Sequence, residues 1–221
     1  MTVADRLAQR RERERDLVKA TRALFDERGM QDAPIEEIAR AVGIARGLVY
    51  RSFASKEELF VLTVTDYLDE LAEVIDGAYG DAAGAAERLE RSVRAYAGFC
   101  RRYPAFLDCS LSLMHRPAME LHGSVSESVW LRLGQSMARC VDHLIITLRA
   151  GASSGELRAD DPDLLASIIW TQVLGAMHIA RTGVGIRQPA PGIPEIFPIR
   201  SEQVVDAVVA SALATAGVTS D

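Results

Sequence analysis

Cysteine is scarce in this chain: Cys100, Cys109 and Cys140, with no CxxC spacing between them. Three thiols so spaced suit neither a disulfide framework nor a zinc site, and buried free thiols are the expectation. No run of about 18 apolar residues stands out, so no membrane-spanning helix is expected. The opening MTVADRLAQRRERERDL is too charged for a signal peptide, and the expected location is the cytoplasm. Strand-like alternation over four or more residues is rare. The common enzyme signatures are missing too: no GxGxxG after a strand, no GxSxG, no HExxH and no P-loop. Asp142-His143 among scattered serines is too generic for a triad. His115 and His122 stand seven residues apart with no third ligand in view. No enzyme, no cofactor and no metal site is expected.

What the chain does contain is a helical pattern and an uneven charge. At 221 residues, 48% hydrophobic and 25% charged, it has enough apolar side chain for a sizeable core. The formal net charge is −6, yet residues 1–56 hold 12 Lys and Arg against 9 Asp and Glu. A basic end on an acidic chain is the footprint of a polyanionic partner.

Apolar residues recur at i, i+3 and i+4. In the first helix Leu17, Thr21, Leu24 and Phe25 share a face, and Gly29 ends it after Arg28. Pro34 opens a short helix, IEEIARA. Val42-Gly43-Ile44 breaks that helix, and a third runs from about Ala45 to Arg51. Ser55 and Glu58 form an S-x-x-E capping box that starts a long helix reaching about Ala78. Further helices are expected at 83–102, 105–114, 121–150, 162–182 and 201–216. The stretch 183–200, GVGIRQPAPGIPEIFPIR, carries four Pro and three Gly and reads as an irregular connection.

Two short helices around a turn containing Gly make a helix-turn-helix. At 100° per residue, Ile44 and Leu48 share the core side of the third helix. Ala45, Arg46, Val49 and Tyr50 fall within about 140° on the other side. That face is small, basic and aromatic: small residues permit close approach to a major groove, and Arg pairs bidentately with guanine. Gly47 lies between the faces. Tyr50 and Lys56 are candidate phosphate donors, Lys56 in the first turn of a helix. Arg11, Arg15, Lys19 and Arg22 form a stripe on the first helix, either a third basic surface or a solvated face beside Glu12 and Asp16. Arg6, Arg10 and Arg13 are candidates for a minor-groove arm.

Residues from about Arg10 to Leu62 resemble the N-terminal DNA-binding domain of the TetR family of bacterial regulators. LFDERG (24–29), IEEIARAVGIARGLVYRSF (35–53) and SKEEL (55–59) carry the resemblance. It implies an all-α fold: a three-helix helix-turn-helix DNA-binding domain, residues 1–56, then a helical ligand-binding and dimerisation domain, residues 57–221. By position, Ala45, Arg46, Gly47 and Val49 would meet base edges, and Tyr50 and Lys56 would hold phosphates. Arg51 stands where the family tolerates many residues, and its role is open. One departure is that Ala33 and Pro34 replace the family's usual Thr and following Ser, Thr or Pro. The cap is lost at a cost of about 1 kcal/mol unless Asp32 substitutes.

The remainder is more generic. DPDLLASIIWTQVLGAMHIA (161–180) and VVDAVVASALATA (204–216) are apolar almost all round, as helices buried on several sides are. The resemblance assigns them to a homodimer interface. Two-fold symmetry then spaces two recognition helices about 34–36 Å apart on a palindromic operator. For a small, apolar or aromatic effector the candidate lining is Phe106, Met114, Trp130, Met137, Trp170, Met177 and His178, since Met adapts to irregular shapes and Trp has a polar handle. Each is equally a core residue by its spacing. The expected function is a repressor that binds double-stranded DNA and is released by such an effector. The alternative is an interaction module that kept the fold without operator binding.

Overall fold

The computed structural model describes residues 3–29, 34–80, 82, 84–115 and 118–218. Ala33 and Asp32, on which the lost cap turns, lie outside these. Among the described residues the order is α1 (Val3–Arg28), α2 (Ile35–Val42), α3 (Arg46–Ser52), α4 (Lys56–Tyr79), α5 (Ala85–Arg102), α6 (Pro104–Met114), α7 (Ala118–Ser124), α8 (Glu127–Ser154), α9 (Pro162–Thr182), β1 (Val184–Ala190), β2 (Ile193–Pro198) and α10 (Ser201–Thr215). The chain divides into two compact units, residues 1–69 with 104–137, and residues 70–103 with 138–221. This division falls inside α4 and α8 and between α5 and α6.

In the first unit the helix stops are chemical. Gly29 ends α1 in the left-handed region at φ 85°, its N–H donating to the Phe25 carbonyl at 2.8 Å. Pro34 stands at the cap position of α2, one residue ahead of the first helical position, and its carbonyl accepts from Glu37 and Ile38. Gly43, at φ 71°, closes α2: its N–H bonds Arg40 and the Ile44 N–H bonds Ala39, so two orphan carbonyls are satisfied. Leu17, Thr21 and Phe25 of α1 are buried with Ile35, Ile38 and Ala39 of α2 and Val49 of α3. The Thr21 hydroxyl donates to the Leu17 carbonyl at 2.7 Å, which lets it sit there. Each such aliphatic side chain contributes about 1.5–3 kcal/mol by leaving water.

Two expectations are corrected. The single helix expected over 121–150 is two, α7 and α8, divided at residues 125–126, where the Ser126 carbonyl accepts from Val129 and Trp130 to begin α8. The irregular connection expected at 183–200 is an antiparallel hairpin, β1 with β2, registered as Val184–Pro198, Gly185–Phe197, Ile186–Ile196 and Arg187–Glu195. The ladder is irregular between Arg187 and Ala190, around Pro189, which has no N–H to donate.

In the second unit α9 packs against α5 and α10. Asp161 caps α9 by accepting the Leu164 N–H at 3.0 Å, Pro162 takes its first position, and Gly183 ends it at φ 67°. Tyr96 of α5 stacks on Trp170 of α9 with ring centroids 4.2 Å apart. By length and composition alone α9 is apolar enough to cross a membrane, a test that a core helix also passes.

Candidate nucleic-acid interface

The face that α3 leaves in solvent is narrower than a helical wheel drawn from Ile44 implies. Ile44 and Ala45 precede the helix, which starts at Arg46. Its phase therefore turns Val49 and Ser52 inward, and Val49 is only 2% exposed. Val49 is therefore a core residue, and the face expected to carry it as a reader is left with Ala45, Arg46, Gly47 and Tyr50. Ala45, Arg46, Gly47, Tyr50 and Arg51 are exposed, while Ile44 and Leu48 are half-buried. Nothing stands within 4 Å of where a Cβ on Gly47 would be, so the backbone there is open to close approach.

Arg46 is already occupied. One guanidinium nitrogen lies 2.5 Å from the Glu36 carboxylate on α2, and another donates to the Tyr50 hydroxyl at 3.3 Å. The guanidinium carbon stands 5.5 Å from the Tyr50 ring centroid. The Tyr50 hydrogen bond first, and then the Glu36 charge, raise the Arg46 pKa above its ordinary value. Both residues of the pair are exposed, so water screens their attraction and a competing anion can displace it. Arg51 donates through Nε to the Gly47 carbonyl at 3.3 Å. Glu37, the other acidic residue of the turn, pairs with Arg28 at 2.5 Å. The role of Glu36 had no sequence signal, because ten residues and a turn separate it from Arg46.

Lys56 begins α4 and is exposed. Ser55 accepts the Glu58 N–H at 3.0 Å, as a capping box requires. The Glu58 carboxylate reaches the N–H of Ala54, one residue further than the box predicts, and also accepts from Ser126.

The basic stripe on α1 divides. Arg22 is structural: it pairs with Asp66 at 2.7 Å and lies 4.2 Å over the Tyr67 ring. Arg11 and Arg15, with Arg10, instead bound a cleft of about 1020 Å³ in the same unit, together with Tyr50 and Arg51 of α3 and Arg132 of α8. Arg6, Arg10 and Arg13 belong to α1 itself and form no extended arm.

The effector candidates are divided between the two units. Phe106 is buried against Tyr67, centroids 5.8 Å apart, while Met114 and Met137 are exposed and Trp130 lies edge-on to His122 at 5.1 Å. These four belong to the first unit. In the second, Trp170 and Met177 are core and His178 is exposed. Among the described residues no group of three His, Cys, Asp or Glu is arranged to hold a metal. Burial pushes the Cys100 and Cys109 thiols up to about 12.

Residues 17–62, which hold all of α2, α3 and the start of α4, match the family described as bacterial regulatory proteins, tetR family. Over those residues the chain is similar to the TetR family. Among its relatives, the transcriptional repressor KstR2 of Mycobacterium tuberculosis is 34% identical over 87 residues, 39% of this chain and 44% of that protein. The transcriptional activator FasR of Mycolicibacterium smegmatis is 30% identical over 90 residues, 41% of each chain. The chain thus matches less than half the length of either. The structure of RolR in complex with resorcinol superposes with a TM-score of 0.68 at 18% identity, over 96% of this chain and 91% of that one. At that identity the likeness is one of fold.

Proposed function

We propose that this chain is a TetR-family transcriptional regulator, not an enzyme, that binds a palindromic operator as a homodimer and acts as a repressor. Residues 1–56 supply the DNA contacts. The observation that carries the reading is the exposed face of α3: Ala45, Arg46, Gly47 and Tyr50 stand in solvent around an unobstructed backbone, with Lys56 exposed nearby in sequence. On DNA, Arg46 exchanges the Glu36 carboxylate for guanine O6 and N7, while Tyr50, Lys56 and Arg51 take phosphates. Residues 57–221 supply dimerisation and the site for a small, apolar or aromatic effector. A coupling of about 1–3 kcal/mol between effector and operator is sufficient for release. The protein works in the cytoplasm, where its operator is.

The test is footprinting on the intergenic DNA beside its own gene at two salt concentrations. A protected palindrome is expected, with affinity falling steeply as salt rises. The Glu36–Arg46 pair also favours a second reading, an interaction module with its reading arginine neutralised. Absence of binding even at low salt selects that reading over the first.

A further inference from the structure

The hairpin joining α9 to α10 has two unlike faces. One carries Gly185, Arg187, Glu195 and Phe197, paired across the strands. It is closed on its own chain: a Cβ on Gly185 would stand 2.6 Å from the Phe197 ring, and Arg187 neutralises Glu195 at 2.6 Å. The other face carries Val184, Ile186, Ile196 and Pro198, all exposed, Ile186 by 77% and Ile196 by 70%. No charged residue stands on it. Two directly opposed isoleucines left in water on one strand face mark a contact surface.

The helix that leads into the hairpin has the same deficit. Leu164, Ile168 and Ile179 of α9 are exposed, and only 33% of its most apolar 18 residues are buried in the chain. An apolar helix is stable in water when its remaining faces are covered. Between α9, β2 and α10 runs a groove of about 580 Å³. The buried Gln172 Oε1 on its wall has no hydrogen-bond partner among the described residues.

We propose that the Val184–Ile186–Ile196–Pro198 face is a dimerisation arm that lies against a second copy of this chain and extends the interface made by α9 and α10. The inference rests on the homodimer reading above. A second copy fits best for three reasons. A two-fold contact sets the same patch against its equivalent, and an uncharged patch does so without like-charge repulsion. The face is continuous in sequence with the under-covered helix α9. The face itself carries no cation for a lipid surface, since the hairpin's ion pair is spent on the opposite side, and a paired strand face lacks the concavity of a small-molecule site.

The experiment is sedimentation equilibrium of the full chain, comparing the native protein with Ile186→Asp/Ile196→Asp and with the milder Ile186→Thr/Ile196→Thr, all with matched circular dichroism. The native chain is expected to be a dimer, and both variants to weaken it, the Asp pair by at least tenfold. In parallel, Ile186→Cys on this background of buried cysteines is expected to cross-link two copies with a bismaleimide. Variants with the native dimer constant, or an Ile186→Cys dimer that does not cross-link, overturn the arm while leaving the homodimer standing. A native chain that is monomeric at all concentrations overturns both. A monomer that floats with phosphatidylglycerol vesicles assigns the face to lipid and likewise overturns it.

Discussion

On α3 the exposed face holds Arg46, Gly47, Tyr50 and Arg51, and its polar groups satisfy one another through short surface contacts. On the β1–β2 hairpin the exposed face holds Val184, Ile186, Ile196 and Pro198, and nothing on that face can be satisfied by water. The two surfaces wait for partners of opposite chemistry. Charged groups held by exposed pairs are released at small cost when a polyanion arrives, whereas apolar groups stay exposed only until a matching apolar surface covers them. This is why the first face is assigned to DNA and the second to another copy of the chain.

The comparison depends first on α2 holding α3 in place. Ile38 is 1% exposed between α1 and α3. Ile38→Ala is expected to cost about 2–5 kcal/mol, measured by urea unfolding of the full chain, and to reduce DNA binding without changing the dimer constant. Loss of dimerisation instead would mean the two faces are not independent. Next in size is Arg46→Ala, which is expected to relax preference at one operator position by about 5- to 150-fold. Lys56→Ala, by contrast, is expected to weaken binding to every sequence alike and to shallow the salt dependence by about one counterion. An unchanged base preference for Arg46→Ala removes it from the reading set.

The smallest effect involves neither face. Glu156 accepts the N–H groups of Ala86 at 2.9 Å and Ala85 at 2.8 Å, capping α5, and these bonds hold its carboxyl below the ordinary value. A depressed carboxyl stabilises the fold above the unfolded value, about 4.3, and that contribution is lost as pH falls through the folded value. Glu156→Gln is therefore expected to flatten the acid limb of a melting-temperature profile slightly below that pH and to leave DNA binding unchanged. A profile that stays superimposable on the native one removes the cap from the account.

Much of the helical order was legible because its punctuation is local. Gly29, Gly43, the Ser55–Glu58 cap and Asp161-Pro162 act within four residues of where they stand. The helix-turn-helix was legible for the same reason. Val49 was misplaced because the core side of the wheel was marked by Ile44, which precedes the helix, whereas Val49 and Ser52 are the buried residues of α3. The hairpin was hidden by its four prolines and two glycines, which read as loop, although V-G-I-R and E-I-F alternate as strands do. Contacts such as Arg22 with Asp66 and Tyr67, or Arg46 with Glu36, join residues 10 to 45 positions apart and leave no periodic trace. Phe106, Trp170 and Met177 are core because bulky side chains at helical spacing are chosen by core packing as often as by ligands.

The most direct test of the assignment of polar face to DNA and apolar face to a second copy is the stoichiometry on a footprinted operator, read by sedimentation velocity with a labelled duplex. The account predicts chains bound in pairs, two per palindrome. It also predicts that Ile186→Asp/Ile196→Asp shifts this assembly to higher protein concentration, while Arg46→Ala leaves pairing intact and relaxes preference at one operator position. A single chain bound per duplex, or pairing indifferent to the hairpin and dependent on Arg46, would contradict it.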